Sequence, residues 1–331
     1  MKQTVLVTGG AGYVGSVLVP TLLRAGYAVK VLDLYLYGKE VFDGVRGNPD
    51  LTEIQGDIRD QELLKKSLQG CDSVIHLACI SNDPSFELNP VLGRSINLDA
   101  FRPLVEISKS SGVKRFIYAS SPSVYGVQDV AEVTEESPVL PITDYARFKA
   151  DCEVILRDYP SSSDFTAVTL RPATVCGYGP RQRLDVIVNI LTNHAYHNRV
   201  IKVFGGDQKR PNIHIADVVD AYLFMLAQPS EKIADRVFNV GCDNQTVLEI
   251  AQMVQGIVGP DVKLEMVPTP DHRSYHMSSA LIERELGFRC KRTIADAVRD
   301  LVNAFEKGLL PDSMHQSRYF NIKRMQEVNL Q

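Results

Sequence analysis

A glycine-rich turn near the start of the chain is the feature that most constrains its fold. Residues 4–15 read TVLVTGGAGYVG, in which an apolar run leads directly into a G-x-x-G-x-x-G pattern. Glycines at these points permit a tight turn, close approach of the backbone to a pyrophosphate, and close packing of the next helix. The positive end of that helix favours the same anion. The turn residues expected to contact a dinucleotide are Gly9, Gly12, Tyr13, Val14 and Gly15.

The first half of the chain alternates short apolar runs with helical stretches. Nearly continuous Val, Ile and Leu runs are typical of strands buried on both faces, and the helices between them imply right-handed crossovers. We therefore predict an α/β fold with a doubly wound parallel sheet of the Rossmann type. The expected strands are TVLVTG, AVKVLD, TEIQGD, SVIHLA, KRFIYASS and FTAVTLRP.

The pattern changes after residue 172, where a Gly- and Pro-rich loop, CGYGP, follows the last of these runs. Later segments mix helices with short strands such as VIKVFGG and RVFNVG. We predict a dinucleotide-binding domain over residues 1–172, with a return crossing near 215–240. Residues 173–214 and 241–331 are expected to form a smaller substrate-binding lobe.

Composition narrows the classes of partner. The 331 residues are 44% hydrophobic, enough for a full core, and the net charge of −4 does not favour a nucleic acid or a membrane surface. The six cysteines are scattered without a C-x-x-C pair, so we expect free thiols, no metal site and a cytoplasmic location. The first residues, MKQTVLVTGG, lack the apolar core of a signal peptide.

Asp33 indicates which dinucleotide is bound. It ends the second predicted strand, eighteen residues after Gly15. A carboxylate at this point accepts hydrogen bonds from the adenosine ribose and repels a 2′-phosphate. No arginine or serine follows immediately to receive that phosphate, so NAD is favoured over NADP.

The segment DYARFK at 144–149 contains a candidate acid/base pair. On a helix, Tyr145 and Lys149 stand one turn apart on the same face. A tyrosine with a pKa of about 10 is a poor base at neutral pH, but a nearby ammonium and a cationic nicotinamide both favour its phenolate.

Taken in order, TGGAGYVG, Asp33, GDIRD, HLAC, SSPSVYG, the Tyr145–Lys149 pair and RPATVCGYGP resemble the extended short-chain dehydrogenase/reductases. The resemblance is to the nucleotide-sugar epimerase/dehydratase family and covers most of the chain. A local stretch, GPRQRLDVIVN, also resembles a branch that includes a GDP-heptose 4-dehydrogenase. The resemblance implies further cofactor contacts from Asp57, Ile58, Leu77, Ala78 and Asn97, and a homodimer formed through helices near 90–110 and 145–158.

The resemblance assigns Tyr145 as the base, Lys149 as its activator and ribose ligand, and Ser121 as the hydroxyl that bridges substrate and base. The next two positions distinguish the chemistries of the family. Related dehydratases carry Asp-Glu there, whereas this chain has Pro122 and Ser123. Proline has no proton to give and serine is a poor base, so dehydration is disfavoured. The 3,5-epimerising members of the family use a cysteine at the position held here by Ser123, so that reaction is disfavoured as well.

Candidate substrate ligands come from both halves of the chain. Arg210, in the segment FGGDQKRPNIHIAD, matches an arginine that contacts the sugar-nucleotide pyrophosphate in the family, and its planar fork suits phosphate oxygens. Arg181, Arg183 and Asn189 lie on the expected nucleotide loop. The family's later arginine position holds Pro268. Either Arg273 takes over that phosphate contact or the nucleotide lies differently in the site. Ser121 and Ser123 complete the predicted substrate-binding set.

The predicted function is NAD-dependent oxidation at carbon 4 of a nucleotide-linked sugar, by a 4-epimerase or a 4-dehydrogenase that keeps its NAD. The alternatives are a 4-keto nucleotide-sugar reductase, decarboxylation of the UDP-glucuronate type, and a catalytically silent NAD-sensing scaffold. The nucleotide base, the sugar and the direction of the reaction remain open at this point.

Overall fold

The computed structural model describes residues 2–81, 83–128, 130, 132–269, 274, 276–328 and 330. Its strands are β1 (Thr4–Thr8), β2 (Ala28–Asp33), β3 (Leu51–Gln55), β4 (Ser73–His76), β5 (Arg115–Ala119), β6 (Thr166–Pro172), β7 (Thr174–Cys176), β8 (Val200–Phe204), β9 (Asn212–His214), β10 (Arg236–Val240) and β11 (Lys263–Val267).

The α-helices are α1 (Gly15–Arg24), α2 (Gln61–Leu68), α3 (Asp83–Glu87), α4 (Pro90–Arg94), α5 (Phe101–Ser110), α6 (Asp144–Arg157), α7 (Ile187–Asn198), α8 (Ile215–Ala227), α9 (Ser230–Ile233), α10 (Val247–Val258), α11 (Ala280–Leu286), α12 (Ile294–Glu306) and α13 (Asn321–Val328). A π-helical turn covers Ser95–Asp99, and 3-10 turns cover Glu40–Phe42, Pro122–Tyr125 and Ser317–Tyr319.

The main sheet has seven strands in the order β10-β6-β5-β4-β1-β2-β3. Every neighbouring pair in it is parallel; Val5, for example, lies between Val29 and Ser73. The predicted doubly wound parallel sheet is confirmed.

Alternating side chains of β1 build two hydrophobic cores, one on each face of the sheet. Val5 and Val7 pack with residues of α1 and α8. Leu6 points to the other face and packs with residues of α2, α5 and α6. Because helices cover both faces, the strands are apolar throughout rather than alternating.

The later part of the chain forms smaller sheets and its own core. β8 pairs with β11, and β7 pairs with β9. Helices α7, α10 and α12 pack against these strands. The chain returns to the main sheet through α8, which packs on α1, and β10, which pairs with β6. The division into two domains at the stated boundaries stays a prediction.

The structure corrects the expectation of six free thiols. Cys242 and Cys290 are joined in a disulfide with a Cα–Cα separation of 6.0 Å, whereas Cys71, Cys79, Cys152 and Cys176 are free. The bridge joins the loop after β10 to the segment before α12. The two cysteines are 48 residues apart in the sequence, and their spacing does not indicate that they pair.

No helix in the described part of the chain is both long enough and apolar enough to span a membrane.

We predict that the unfolded protein titrates as four thiols without reductant and six after reduction. Replacing both Cys242 and Cys290 with serine should lower the free energy of unfolding by about 4 kcal/mol, because the bridge restricts the unfolded chain over a loop of this length. Urea unfolding under oxidising conditions measures the difference. Six reactive thiols before reduction would show that the bridge does not form.

Candidate active site

A cavity of about 580 Å³ opens at the carboxyl ends of the parallel strands. It lies where β1 stands between β2 and β4, so that the strand order reverses. Open α/β sheets bind their ligands at such a reversal, because the loops on its two sides diverge. The loops that follow β1, β2, β4 and β5 all contribute to the lining.

At two positions of the first turn, close backbone contacts leave no room for a side chain, so glycine is required there. Gly9 has φ +72°, and a Cβ atom there would lie 2.6 Å from Cα of Ala78. A Cβ on Gly15 would lie 2.3 Å from the carbonyl oxygen of Gly10. Gly12 lines the cavity itself. The turn therefore presents bare backbone to the cavity at the start of α1, which fits a pyrophosphate.

Asp33 lies on the cavity wall at the end of β2. Its carboxylate accepts hydrogen bonds from the amides of Ala11, at 2.9 Å, and Tyr35, at 2.7 Å. Burial raises the pKa of Asp33, and these two hydrogen bonds oppose the rise. A carboxylate fixed in this way can accept hydrogen bonds from ribose hydroxyls, so the residues present fit NAD.

The other predicted cofactor residues, with one exception, line the same cavity. These are Tyr13, Val14, Asp57, Ile58, Leu77 and Ala78.

The exception is Asn97, which is not among the lining residues, so its contact with the cofactor stays a prediction. Its buried side chain accepts a hydrogen bond from the amide of Ile80 at 2.8 Å and donates one to the carbonyl of Ile80 at 3.0 Å. The π-helical turn directs Asn97 at this backbone rather than at the cavity. Asn97 therefore fixes the loop after β4, which supplies part of the cavity wall.

The structure brings Ser121, Tyr145 and Lys149 together on the cavity wall. Ser121 follows β5 and caps the short 3-10 turn. Its Oγ accepts one hydrogen bond from the amide of Ser123, at 3.2 Å, and another from the hydroxyl of Ser123, at 2.9 Å. Lys149 is buried, and its Nζ donates to the carbonyl of Ala119 at 2.7 Å. The same Nζ lies 5.9 Å from the centre of the Tyr145 ring.

The surroundings of Tyr145 act on its pKa in opposite directions. Burial raises the pKa of the phenol, while the Lys149 ammonium and a hydrogen bond with Ser121 lower it, so that the net pKa lies above 10. A bound nicotinamide cation would add to the lowering effect. The arrangement can thus hold a phenolate only while positive charges remain close to it.

A buried ion pair underlies these catalytic candidates. Nε and Nη2 of Arg171 on β6 donate to the carboxylate of Glu153 on α6, at 2.9 and 2.6 Å. The hydroxyl of Ser120 donates to the same carboxylate at 2.5 Å. This pair was not predicted from the sequence. Its signals were a charged residue inside a buried strand and a glutamate one turn after Lys149 on the same helical face.

Besides Ser121, three residues of the predicted substrate-binding set line the cavity: Ser123, Arg183 and Arg210. Nε of Arg183 donates to Asp185 at 2.6 Å, which holds its guanidinium at the wall. Arg210 also lines a second cavity of about 580 Å³, whose walls include Phe204 and Val247. The two cavities therefore meet at Arg210.

Asn189 is not among the lining residues of either cavity, and its contact with the substrate stays a prediction. Its side chain is fully buried, accepts from the amide of Gly177 at 2.9 Å, and donates to the Tyr13 hydroxyl at 3.0 Å and the Arg183 carbonyl at 2.7 Å. These bonds use its polar atoms to hold the loop between β7 and α7. Arg273 lies outside the described residues.

Cys79 and Tyr222 also line the first cavity, although neither was predicted as a site residue. Cys79 ends the HLAC motif, and its place in that motif could have indicated that it lines the cavity. No metal site was expected. The side chains of Asp217, Cys242 and Cys290 lie within 4.8 Å of one another. Their sulfur atoms are bonded to each other and Asp217 accepts from Arg292, so we assign no metal to this group.

The sheet, the glycine turn, Asp33 and the Ser121–Tyr145–Lys149 group define a dinucleotide-dependent enzyme of the Rossmann class. The family model described as "NAD dependent epimerase/dehydratase family" matches residues 5–241. The chain belongs to this family, and NAD is its cofactor.

Relatives of known function support the assignment. UDP-glucose 4-epimerase 2 of Arabidopsis thaliana is 32% identical over 92% of this chain and 95% of the relative. UDP-glucose 4-epimerase of Corynebacterium glutamicum is 27% identical over 92% of this chain and 96% of the relative.

Solved structures show the same fold. UDP-glucose 4-epimerase of Thermotoga maritima with UDP-glucose has a TM-score of 0.83 and 28% identity, over 93% of this chain and 100% of that one. DesIV, a dTDP-glucose 4,6-dehydratase of Streptomyces venezuelae solved with NAD, has a TM-score of 0.84 and 26% identity, over 95% of this chain and 100% of that one. The predicted family, enzyme class and cofactor are confirmed.

Substituting Glu153→Gln should lower the free energy of unfolding by about 3 to 5 kcal/mol, because it leaves the buried Arg171 without a counter-charge. Chemical denaturation measures this change. The matched control is Glu62→Gln, whose exposed partner is Lys65, and it should cost less than about 1 kcal/mol. Equal effects of the two substitutions would contradict a structural role for the buried pair.

Proposed function

We propose that this chain is a nucleotide-sugar 4-epimerase that oxidises carbon 4 and returns hydride to the other face of the same carbon. The observation that carries the proposal is the Ser121–Tyr145–Lys149 group beside the cofactor turn, with Pro122 and Ser123 next to it. The relatives named 4-epimerases favour epimerisation over net dehydrogenation.

The residues divide the work at carbon 4. Tyr145, as phenolate, takes the proton of the 4-hydroxyl, and Ser121 holds that hydroxyl and the phenol in one hydrogen-bonded line. Lys149 stabilises the phenolate through its charge. The glycine turn and Asp33 would hold NAD, which would supply the hydride acceptor and donor for carbon 4. Tyr145 then returns the proton to the carbon-4 oxygen. The tyrosine therefore ends the cycle in the same protonation state in which it began.

The diphosphate of the substrate is expected to lie between the two cavities. Arg210 borders both of them, and Arg183 lies on the wall of the first. An arginine fork suits phosphate oxygens. The nucleoside would then occupy the second cavity and the sugar would face Tyr145, which places carbon 4 at the triad.

Dehydration is disfavoured by the positions of the carboxylates. Asp33 and Asp57 lie at the ends of strands on the adenosine side. Asp83 accepts from the Thr143 hydroxyl at 2.6 Å, and Asp185 accepts from Arg183. The two positions beside Ser121, where related dehydratases carry their acids, hold Pro122 and Ser123.

The test is product analysis of the purified protein with UDP-, GDP-, CDP- and dTDP-sugars. An isobaric product with inverted carbon 4 in NMR supports the proposal, and loss of water or of two mass units contradicts it. Tyr145→Phe should lower the rate at least about 100-fold, since the acid/base group is removed, while NAD stays bound. Tyr159→Phe, remote from the cavity, is the matched control and should retain the rate. An unchanged rate for Tyr145→Phe would refute the assigned base.

We further propose a homodimer that forms through α4, α5 and α6. Val91 and Val154 support this, because these apolar side chains are 80% and 57% exposed on α4 and α6. Sedimentation velocity should show two chains for the wild type and one for Val154→Arg. Met266→Arg, at an equally exposed site on β11, should stay dimeric. A monomeric wild type would contradict the proposal.

A cytoplasmic location is also proposed. The four free cysteines favour a reducing compartment, whereas the Cys242–Cys290 disulfide is of a kind rare there. Cell fractionation tests it, and recovery of the protein outside the cytoplasmic fraction would contradict it.

A further inference from the structure

Arg181 is a buried charge whose polar atoms are only partly engaged. Its side chain is 5% exposed, and its Nε has no hydrogen-bond partner among the residues that the structure describes. Nη2 donates to Oδ1 of Asn321 at 2.5 Å, and the guanidinium lies 3.6 Å from the centre of the Tyr37 ring. Its neighbour Arg183 is hydrogen-bonded to a carboxylate. The two contacts of Arg181 just named are with neutral groups, and the carboxylates of Asp33 and Asp185 act on it through charge attraction. A guanidinium buried in this way is stabilised by an anion.

The position of Arg181 indicates which anion this is. Its backbone amide donates to Oγ of Ser16 at 3.2 Å, and Ser16 directly follows the glycine turn. The side chain lines the first cavity together with Gly12 and Asp33, and not the second cavity. Arg181 therefore lies on the cofactor side, at the helix end that favours a pyrophosphate. Its planar fork suits two phosphate oxygens at once.

A segment late in the chain holds this arginine. We call residues 317–328 the strap; they comprise a 3-10 turn and α13. Asn321 of the strap is buried, and its Nδ2 donates to Oγ of Ser81 at 2.9 Å while its amide donates to Asp185 at 2.8 Å. Together with its bond to Arg181, Asn321 thus joins three residues of the cavity wall.

The strap also reaches the adenosine side of the cavity. Nε of Arg324 donates to the carbonyl of Leu36 at 2.5 Å, and Arg318 pairs with Glu40 at 3.2 Å. Leu36 is itself a lining residue. The strap is therefore bonded to two separate parts of the wall, the loop after β2 and the region around Arg181.

We propose that Arg181 binds the diphosphate of NAD and that Asn321 positions it, so that the strap sets the rate at which NAD leaves. A 4-epimerase needs its NAD at the end of each cycle as at the start, and slow release serves that need. The inference rests on NAD as the cofactor and not on the identity of the sugar reaction.

The experiment measures how fast bound NAD exchanges with excess etheno-NAD, whose fluorescence reports the exchange. Arg181→Met should speed release about 10- to 100-fold, as expected for loss of a charge-assisted hydrogen bond. Asn321→Ala keeps the Arg181 guanidinium but removes the hydrogen bond that holds it in place, and should speed release by a smaller factor. Lys323→Met, which removes an exposed cation from the same helix, is the matched control and should leave the rate unchanged.

A second substitution separates binding from a structural role. Asn321→Asp gives Arg181 a carboxylate partner, which competes with a diphosphate for the guanidinium. Release of NAD should then be faster even where the NAD-free protein melts at the wild-type temperature. Release at the wild-type rate in Asn321→Asp would overturn the assignment. Unchanged release in Arg181→Met would do the same. Unchanged release in Asn321→Ala alone would overturn the positioning role of Asn321.

The diphosphate of the sugar nucleotide is the other source of the same anion. Equilibrium binding of UDP to the NAD-loaded variants distinguishes the two. Weaker UDP binding by Arg181→Met at an unchanged NAD release rate would overturn the assignment to NAD. Because NAD exchange is measured without a sugar, faster release in Arg181→Met supports the inference even if the proposed epimerase reaction fails.

Discussion

The ion pair between Arg171 and Glu153 is the interaction on which the active-site geometry depends. It joins β6 to α6, and through Ser120 it reaches the turn that follows β5. Arg171 also donates to the Tyr125 hydroxyl, which donates to Asn239 on β10. Ser120 precedes Ser121 and Glu153 follows Lys149 by one turn, so a single buried contact sets the position of both sides of the triad. Desolvation makes such a pair costly, and its hydrogen bonds offset that cost.

The cavity combines two kinds of constraint. On the cofactor side, close backbone contacts at Gly9 and Gly15 leave room only for a bare turn. On the substrate side, charged side chains held by neighbours define the walls, as Arg183 is held by Asp185. Arg210 borders both cavities, and this connects the expected nucleotide site with the triad. Redox chemistry at carbon 4 needs little beyond this arrangement, and dehydration needs acids that are not found beside Ser121.

Much of the fold could be predicted because its signals are local. Apolar runs separated by helical stretches predict the parallel sheet, and the glycine turn predicts the cofactor side. Asn97 and Asn189 are two predicted site residues that line neither cavity. Each residue lies on the correct element, but its side chain bonds the backbone of a loop, Ile80 for one and Gly177 for the other. Sequence spacing gives the element of a residue more readily than the direction of its side chain.

The sequence by itself determined the class of fold and the cofactor, because each depends on residue types at short and regular spacing. For the same reason it led to the proposed catalytic group. Only the tertiary structure decided the Cys242–Cys290 bridge, the Arg171–Glu153 pair and the contact of Arg181 with Asn321. The partners in these contacts are 48, 18 and 140 residues apart. Such pairs form because packing brings separate elements together, and no local pattern encodes that approach.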